Sequence, residues 1–232
     1  MFKRLQSIAQ IRKLPSTCPL CNQYHHESLV ICGDCRALLH PLGYHCSHCA
    51  LPLPQSEHPV CGHCIKQKPY FDKIYTAYLF KEPLRTLIHE FKYRQSLYLS
   101  AFMAHLILDA ISPLHLTASC LLPVPMHPKN IKSRGYNHAA ELAKYLARYL
   151  RIPCHLTDAK KISHTPNQAS LGLRERQTNL KNAFLVRNAK QPHVVIIDDL
   201  VTTGSTVNEL ARLLKQKGAS RVDVFCCARA SL

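Results

Sequence analysis

A chain of 232 residues that is 47% hydrophobic can bury a medium-sized core beside a small companion domain, and no apolar run in it approaches bilayer-spanning length. Thirty Lys and Arg against 14 Asp and Glu leave a formal charge of +16. That excess favours polyanionic partners, phosphates or nucleic acid, through neutralisation and counterion release. Met1 to Lys13 is basic but has no apolar signal-peptide core, so a cytoplasmic location is the default expectation.

Eight of the 12 cysteines form four C-x-x-C pairs: Cys18/Cys21, Cys32/Cys35, Cys46/Cys49 and Cys61/Cys64. A C-x-x-C turn presents two thiolates to one metal, and a second turn completes a tetrahedral sulfur shell. The eight thiolates therefore predict two structural Zn²⁺ ions. The simplest pairing joins the first turn with the second and the third with the fourth, and a crossed pairing satisfies the spacing equally. His25, His26, His45, His48 and His63 lie nearby as substitute ligands, although four complete cysteine pairs do not need them. The stretch has few large apolar residues, so metal would supply its folding energy. Glu57 to Lys73 is rich in Pro and Lys, and a boundary near Lys68 divides a double zinc ribbon (1–68) from a second domain (69–232).

In the second domain, Ile74 to Phe80 predicts a strand, and Pro83 suits the first turn of a helix. Leu84, Leu87, Ile88 and Phe91 form its apolar stripe, with Lys92, Tyr93 and Arg94 at its end as a solvated terminus or as contacts to a phosphorylated substrate. A second helix, roughly Leu97 to Ile111, would bury Leu99, Phe102, Met103, Leu106 and Ala110. Ser119 to Val124 predicts a buried strand, closed by Pro123-Val124-Pro125. A basic loop then carries Lys129, Lys132, Arg134 and Gly135 to a helix marked by Ala139, Leu142, Ala143 and Leu146. An open α/β sheet binds its ligand in such a position, at the carboxyl end of a strand. Lys129, Lys132 and Arg134 would neutralise a pyrophosphate, and Gly135 would allow an unusual backbone angle beside Arg134.

The stretch from His193 to Thr206 is the most telling. His193 to Ile197 predicts a buried parallel strand ending abruptly at two carboxylates, Asp198 and Asp199. Thr202, Thr203, Gly204, Ser205 and Thr206 follow as a hydroxyl-rich loop. A helix comes next, with Val207, Leu210, Ala211 and Leu214 on one face, capping-box spacing at Thr206 and Glu209, and Gly218 at its end. Donors at a positive helix end suit a phosphate, while the carboxylates suit ribose hydroxyls or Mg²⁺.

This arrangement resembles the phosphoribosyl pyrophosphate (PRPP) signature of type I phosphoribosyltransferases. Four C-x-x-C pairs, Phe91-Lys92-Tyr93, Pro123-Val124-Pro125, Arg134-Gly135-Tyr136-Asn137 and the Asp-Asp stretch together resemble the ComF competence-protein family over nearly the whole chain. The resemblance implies an α/β type I phosphoribosyltransferase fold, a central mostly parallel sheet flanked by helices, with a small N-terminal double zinc ribbon. It implies that Asp198 and Asp199 contact ribose hydroxyls directly or through Mg²⁺, and that Thr202 to Thr206 hold the 5′-phosphate. Lys129, Arg134 and Gly135 would serve the pyrophosphate. Thr165 to Asn182 resembles the loop that covers PRPP, with Arg174 or Arg176 closing over the site. His138 departs from the Gln that the family more often carries, so no Gln role transfers to it. Thr202 stands where 6-oxopurine enzymes typically have a base-contacting Asp, which disfavours purine salvage. The resemblance further implies a role in natural transformation, with single-stranded DNA and competence or DNA-processing proteins as partners. The competing functions are an active transferase with an unidentified acceptor and a non-catalytic PRPP sensor.

Overall fold

The computed structural model describes residues 15–55, 58–112, 114–163, 183–187 and 190–231. The centre is a five-stranded sheet of β3 (Lys73–Tyr75), β4 (Tyr78–Leu79), β5 (Cys120–Pro123), β8 (His193–Val201) and β9 (Arg221–Arg229). The order is β3-β9-β8-β5, with β4 also on β9, and every pairing is parallel. Two short antiparallel pairs lie outside it, β1 (Ser16–Thr17) with β2 (Tyr24–His25), and β6 (Ala159–Lys161) with β7 (Phe184–Val186).

Alternation along β8 and β9 makes two cores, because successive side chains of a strand point to opposite faces. Val194, Ile196, Val222, Val224 and Cys226 join one cluster, and Val195, Ile197, Phe225 and Cys227 the other. The first face is covered by Val207, Leu210, Ala211 and Leu214 of helix α7 (Ser205–Gln216). The second is covered by α3 (Leu84–Tyr93), α4 (Ser100–Ile111) and α6 (His138–Leu150), through residues such as Phe91, Phe102 and Leu142. A strand buried on both faces reads as a continuous apolar run, as β8 does.

The expected Ile74–Phe80 strand is two short pieces, β3 and β4, that pair with β9 in turn. The expected Leu97–Ile111 helix begins with a 3-10 turn, Leu97–Leu99, and Ala110 is only partly buried. The basic segment is not a loop. Pro128–Arg134 forms helix α5, because Pro128 pre-sets the first turn and His127 Nδ1 accepts the Lys129 N–H at 3.2 Å. Gly135, at φ +87°, ends it.

The cysteine-rich segment straddles the sheet. Its first quartet, near helix α1 (Gly33–Ala37), packs with Ile31 and Leu39 into the second-face core, and its second quartet, near α2 (Gly62–Lys66), packs into the first-face core. Arg36 Nη2 grips both Asp109 oxygens of α4 at 2.8 and 2.9 Å, and Tyr78 donates to the same carboxylate at 2.8 Å. Backbone bonds from Leu42 N–H to Ala77 O and from Ile74 N–H to His48 O fasten the segment along the β3/β4 edge. A covered edge cannot template pairing with another chain.

Candidate functional site

Two metal centres and one candidate anion site follow from these placements. Cys18, Cys21, Cys32 and Cys35 bring their sulfurs within 4.8 Å of one another, and so do Cys46, Cys49, Cys61 and Cys64. Sequential pairing is therefore the one adopted. Sulfurs from different turns approach to 3.7 Å (Cys21–Cys32) and 3.6 Å (Cys49–Cys61). A tetrahedron with Zn–S bonds of roughly 2.3 Å has edges of about 3.8 Å, so the quartets fit Zn²⁺. Burial opposes ionisation of Cys18 and Cys46, yet backbone N–H groups outweigh it and bring both thiols down to about 6. Burial pushes Cys49 up to about 11. Four sulfurs at such distances carry their full charge only around a cation. These are two zinc sites, each built from four cysteine sulfurs.

At the other end of the chain, β8 does not stop at the acids. Its ladder with β9 runs on through Asp198↔Cys226, Leu200↔Ala228 and Val201↔Arg229. The acids are therefore held in a strand, and the loop shrinks to Thr202–Gly204. Gly204 sits at φ +81°, ψ −1°, a left-handed conformation that disfavours a side chain, and turns the chain straight into α7. Thr203 Oγ1 lies 2.9 Å from Ser205 Oγ and accepts the Ser205 N–H at 3.3 Å. Thr202 is exposed, while Thr203, Ser205 and Thr206 are partly buried. First-turn N–H groups lack intrahelical acceptors and carry the positive end of the helix dipole, so this turn suits an anion.

The expected Thr206/Glu209 capping box does not form. The helix begins at Ser205, which puts Thr206 inside the first turn, and Glu209 instead takes Arg212 Nε and Nη2 at 2.8 and 2.7 Å. Gly218, at φ +105°, ends the chain's turn out of α7 as its sequence position implied.

Asp199 is buried, at 1% exposure, and meets Lys92 Nζ at 2.8 Å through Oδ2 and His138 Nε2 at 3.5 Å through Oδ1. Burial alone would raise its carboxyl; the Lys92 ammonium outweighs this and holds it down at about 2. Asp198 is partly buried and accepts the Asp199 N–H at 2.9 Å. Desolvation and the adjacent Asp199 charge push its carboxyl well above the ordinary range. Burial lowers His138, which favours a neutral imidazole beside the charged pair. His138, Asp198 and Asp199 together offer ligand atoms within 4.8 Å of one another.

Arg134 stacks its guanidinium over the Tyr93 ring at 4.6 Å, and Tyr136 donates its hydroxyl to the Phe91 carbonyl. These contacts dock the end of α5 against the end of α3, which also carries Lys92. Arg134 is close enough to disfavour protonation of His138 and, after burial, of Lys161. Lys129 and Lys132 are exposed on α5. Thus Asp198 and Asp199 lie in β8 just ahead of the Thr203–Ser205 turn, and Arg134 and Gly135 lie at the end of α5 that docks on α3, whereas Lys129 is brought to none of them by a described contact. Arg174 and Arg176, with the expected cover over Thr165–Asn182, lie outside the described residues.

Sequence reasoning missed Lys161 and gave His138 no task. Lys161 was legible in principle, because β6 alternates from buried Ala159 and returns Lys161 to a partly buried position. His138 has no such signal, since it is brought to Asp199 by the angle of α6 against β8.

Comparison with known proteins bears on both regions. Residues 13–65 match the double zinc ribbon domain, and residues 131–231 match the phosphoribosyl transferase domain. Over 210 residues the chain is 34% identical to Competence protein F of Haemophilus influenzae, covering 86% of this chain and 90% of that protein. It is 33% identical over 205 residues to DNA utilization protein YhgH of Escherichia coli, with the same coverage of each chain. Competence protein ComFC of Bacillus subtilis is 28% identical over 208 residues, 86% of this chain and 84% of that protein. A shared pair of domains in the same order, at this identity and coverage, places the chain in the competence protein F (ComF) family.

Proposed function

We propose that this chain is a competence or DNA-utilization protein whose residues 69–232 bind PRPP with Mg²⁺, and whose residues 1–68 form the zinc ribbon beside it. The single observation that carries the reading is the placement of Asp198 and Asp199 near the end of β8, two residues ahead of the Thr202–Gly204 turn and the α7 terminus. The turn and the first N–H groups of α7 hold the 5′-phosphate. Asp198, on the more open side, and Asp199 hold the ribose hydroxyls. Mg²⁺ suits a carboxylate together with substrate oxygens, and Asp198 provides that carboxylate without displacing Lys92. When bound, the ion would screen the diphosphate charge. Arg134 and Lys161 supply positive charge on the pyrophosphate side.

Calorimetric titration of Mg²⁺-PRPP into the full chain tests this reading. Micromolar-range binding that disappears in the Asp198→Asn, Asp199→Asn double variant is expected; a wild-type chain that takes up no PRPP refutes it. The partner proposed for the competence role is single-stranded DNA. Support comes from the +16 charge and from exposed Tyr93 and Tyr98, both close in sequence to Arg94, since aromatic rings and cations together bind single strands. A labelled oligonucleotide should bind with an affinity that falls steeply with salt. An active transferase with an unidentified acceptor is the second reading, supported by the nearness of the acid pair to the hydroxyl-bearing turn at the start of α7. Thr202, exposed and uncharged, argues against a 6-oxopurine acceptor.

A further inference from the structure

Arg229, the last residue of β9, is 2% exposed and is among the largest fully buried side chains. A buried guanidinium ordinarily faces a carboxylate, because an unpaired buried charge is costly. Among the described residues no carboxylate pairs with Arg229. It donates instead to backbone carbonyls: Nε to Cys49 O at 2.9 Å, and Nη1 to Val201 O at 3.2 Å, to Ala230 O at 2.8 Å and to Thr202 O. Cys49 belongs to the second zinc quartet, Val201 ends β8 and Thr202 opens the Thr202–Gly204 turn. One rigid fork therefore spans the two.

Four thiolates around one Zn²⁺ carry a net double negative charge, and Arg229 lies against the backbone of one of those ligands. The same neighbourhood holds two further links. Tyr70, six residues after Cys64, donates its N–H to Asn208 Oδ1 in the first turn of α7 at 2.7 Å. The Phe71 ring lies against Gly204, 3.9 Å from where a side chain there would begin. Among the described residues the first quartet has no comparable reach: its fastening, Arg36 to Asp109, runs to α4 on the opposite face.

We propose that Arg229 is a positioning residue that ties the second zinc centre to the Thr202–Gly204 turn, so that the phosphate-binding shape of the turn depends on that centre and not on the first. The consequence for ligand affinity rests on the PRPP reading above; the mechanical tie does not. The Arg fork makes several directed bonds at once, whereas a Lys ammonium on the same spot would keep the charge but lose the fork.

Hydrogen exchange of the full chain, read by mass spectrometry over residues 200–207, measures the tie without any ligand. Cys61→Ser is expected to speed exchange there at least tenfold, and Cys18→Ser to leave it within twofold. Arg229→Lys is expected to keep two zinc ions per chain and a single cooperative melt, yet to speed exchange in the turn and weaken Mg²⁺-PRPP binding at least tenfold. A purely structural arginine would lose zinc or the cooperative melt without this selective effect. Equal exchange in Cys18→Ser and Cys61→Ser, or a turn indifferent to both Cys61→Ser and Arg229→Lys, overturns the proposal. If Arg229→Lys fails to fold, the cysteine pair alone decides. Wild-type protein that binds no PRPP but shows the exchange pattern refutes the ligand reading and leaves the tie standing.

Discussion

Lys92 Nζ stands 2.8 Å from Asp199 Oδ2, with the carboxylate 1% and the ammonium 19% exposed. The helix that follows β4 therefore neutralises the second acid before any ligand arrives, and the two acids do not form a bare dianion. Asp199 is fixed and charged; Asp198 is the more open and the harder to ionise. Removing one partner of such a buried pair leaves the other uncompensated. Lys92→Met is expected to lose about 3–5 kcal/mol of stability. Millimolar Mg²⁺ should then raise the melting temperature of Lys92→Met more than that of the wild type, because the ion binds the folded acid pair. Thermal melts with and without Mg²⁺ check this, and an equal shift in both proteins would show that Asp199 is closed to metal.

The two acids should also separate in a binding assay. Asp198→Asn removes a charged acceptor without stranding Lys92, and should weaken Mg²⁺-PRPP by roughly 10–100-fold while leaving the melting temperature nearly unchanged. Asp199→Asn should lower both, since Lys92 loses its counter-charge. Calorimetry paired with melting curves distinguishes the two patterns.

Zinc content should be two ions per chain, measured by elemental analysis on purified protein. Cys18→Ser and Cys61→Ser should each lose one. A strong chelator should melt residues 15–66 as judged by proteolysis, because metal and not a core of its own holds that segment together. Resistance of the chelated protein to protease would contradict this.

Acid stability should involve Asp72. Burial acts against its ionisation, but Lys215 Nζ at 2.7 Å and the Val222 N–H at 2.7 Å outweigh it and hold the carboxyl below its ordinary value. A carboxyl depressed on folding adds stability above the unfolded pKa of about 3.9, and that stability is lost as pH falls toward and through the folded value. Asp72→Asn should therefore flatten the stability curve below about pH 4 and leave its slope at neutral pH unchanged. Urea melts across that range provide the check.

Much of this was legible because it is local. A C-x-x-C turn, an apolar run before two acids and the i, i+3, i+4, i+7 face of α7 are each encoded within a few neighbouring residues. What could not be read depends on distant partners. β8 continues past Asp199 only because β9 is long enough to go on pairing with it. The Pro128–Arg134 helix is hidden behind a string of charges whose periodicity is polar all round, and only the Pro128 and Gly135 punctuation marks its ends. His138 and Lys92 reach Asp199 from two different helices, and Arg229 gives no sign in sequence of the carbonyls it will meet.

The sheet order sets a constraint on how the protein can be made. β9 is the last strand in sequence but lies between β3 and β8. During synthesis the cysteine turns close over short stretches of chain and can take metal early, whereas the strand that joins the two parts of the sheet emerges roughly 150 residues later. Through that interval the β3 edge is open and adhesive, and the β8 edge joins it for only the last stretch before β9. A ribosome-bound chain with its zinc already seated would present a finished knot and an unfinished sheet, so chaperone dependence should fall on residues 73–201 and ease once Arg221 to Arg229 has left the exit tunnel.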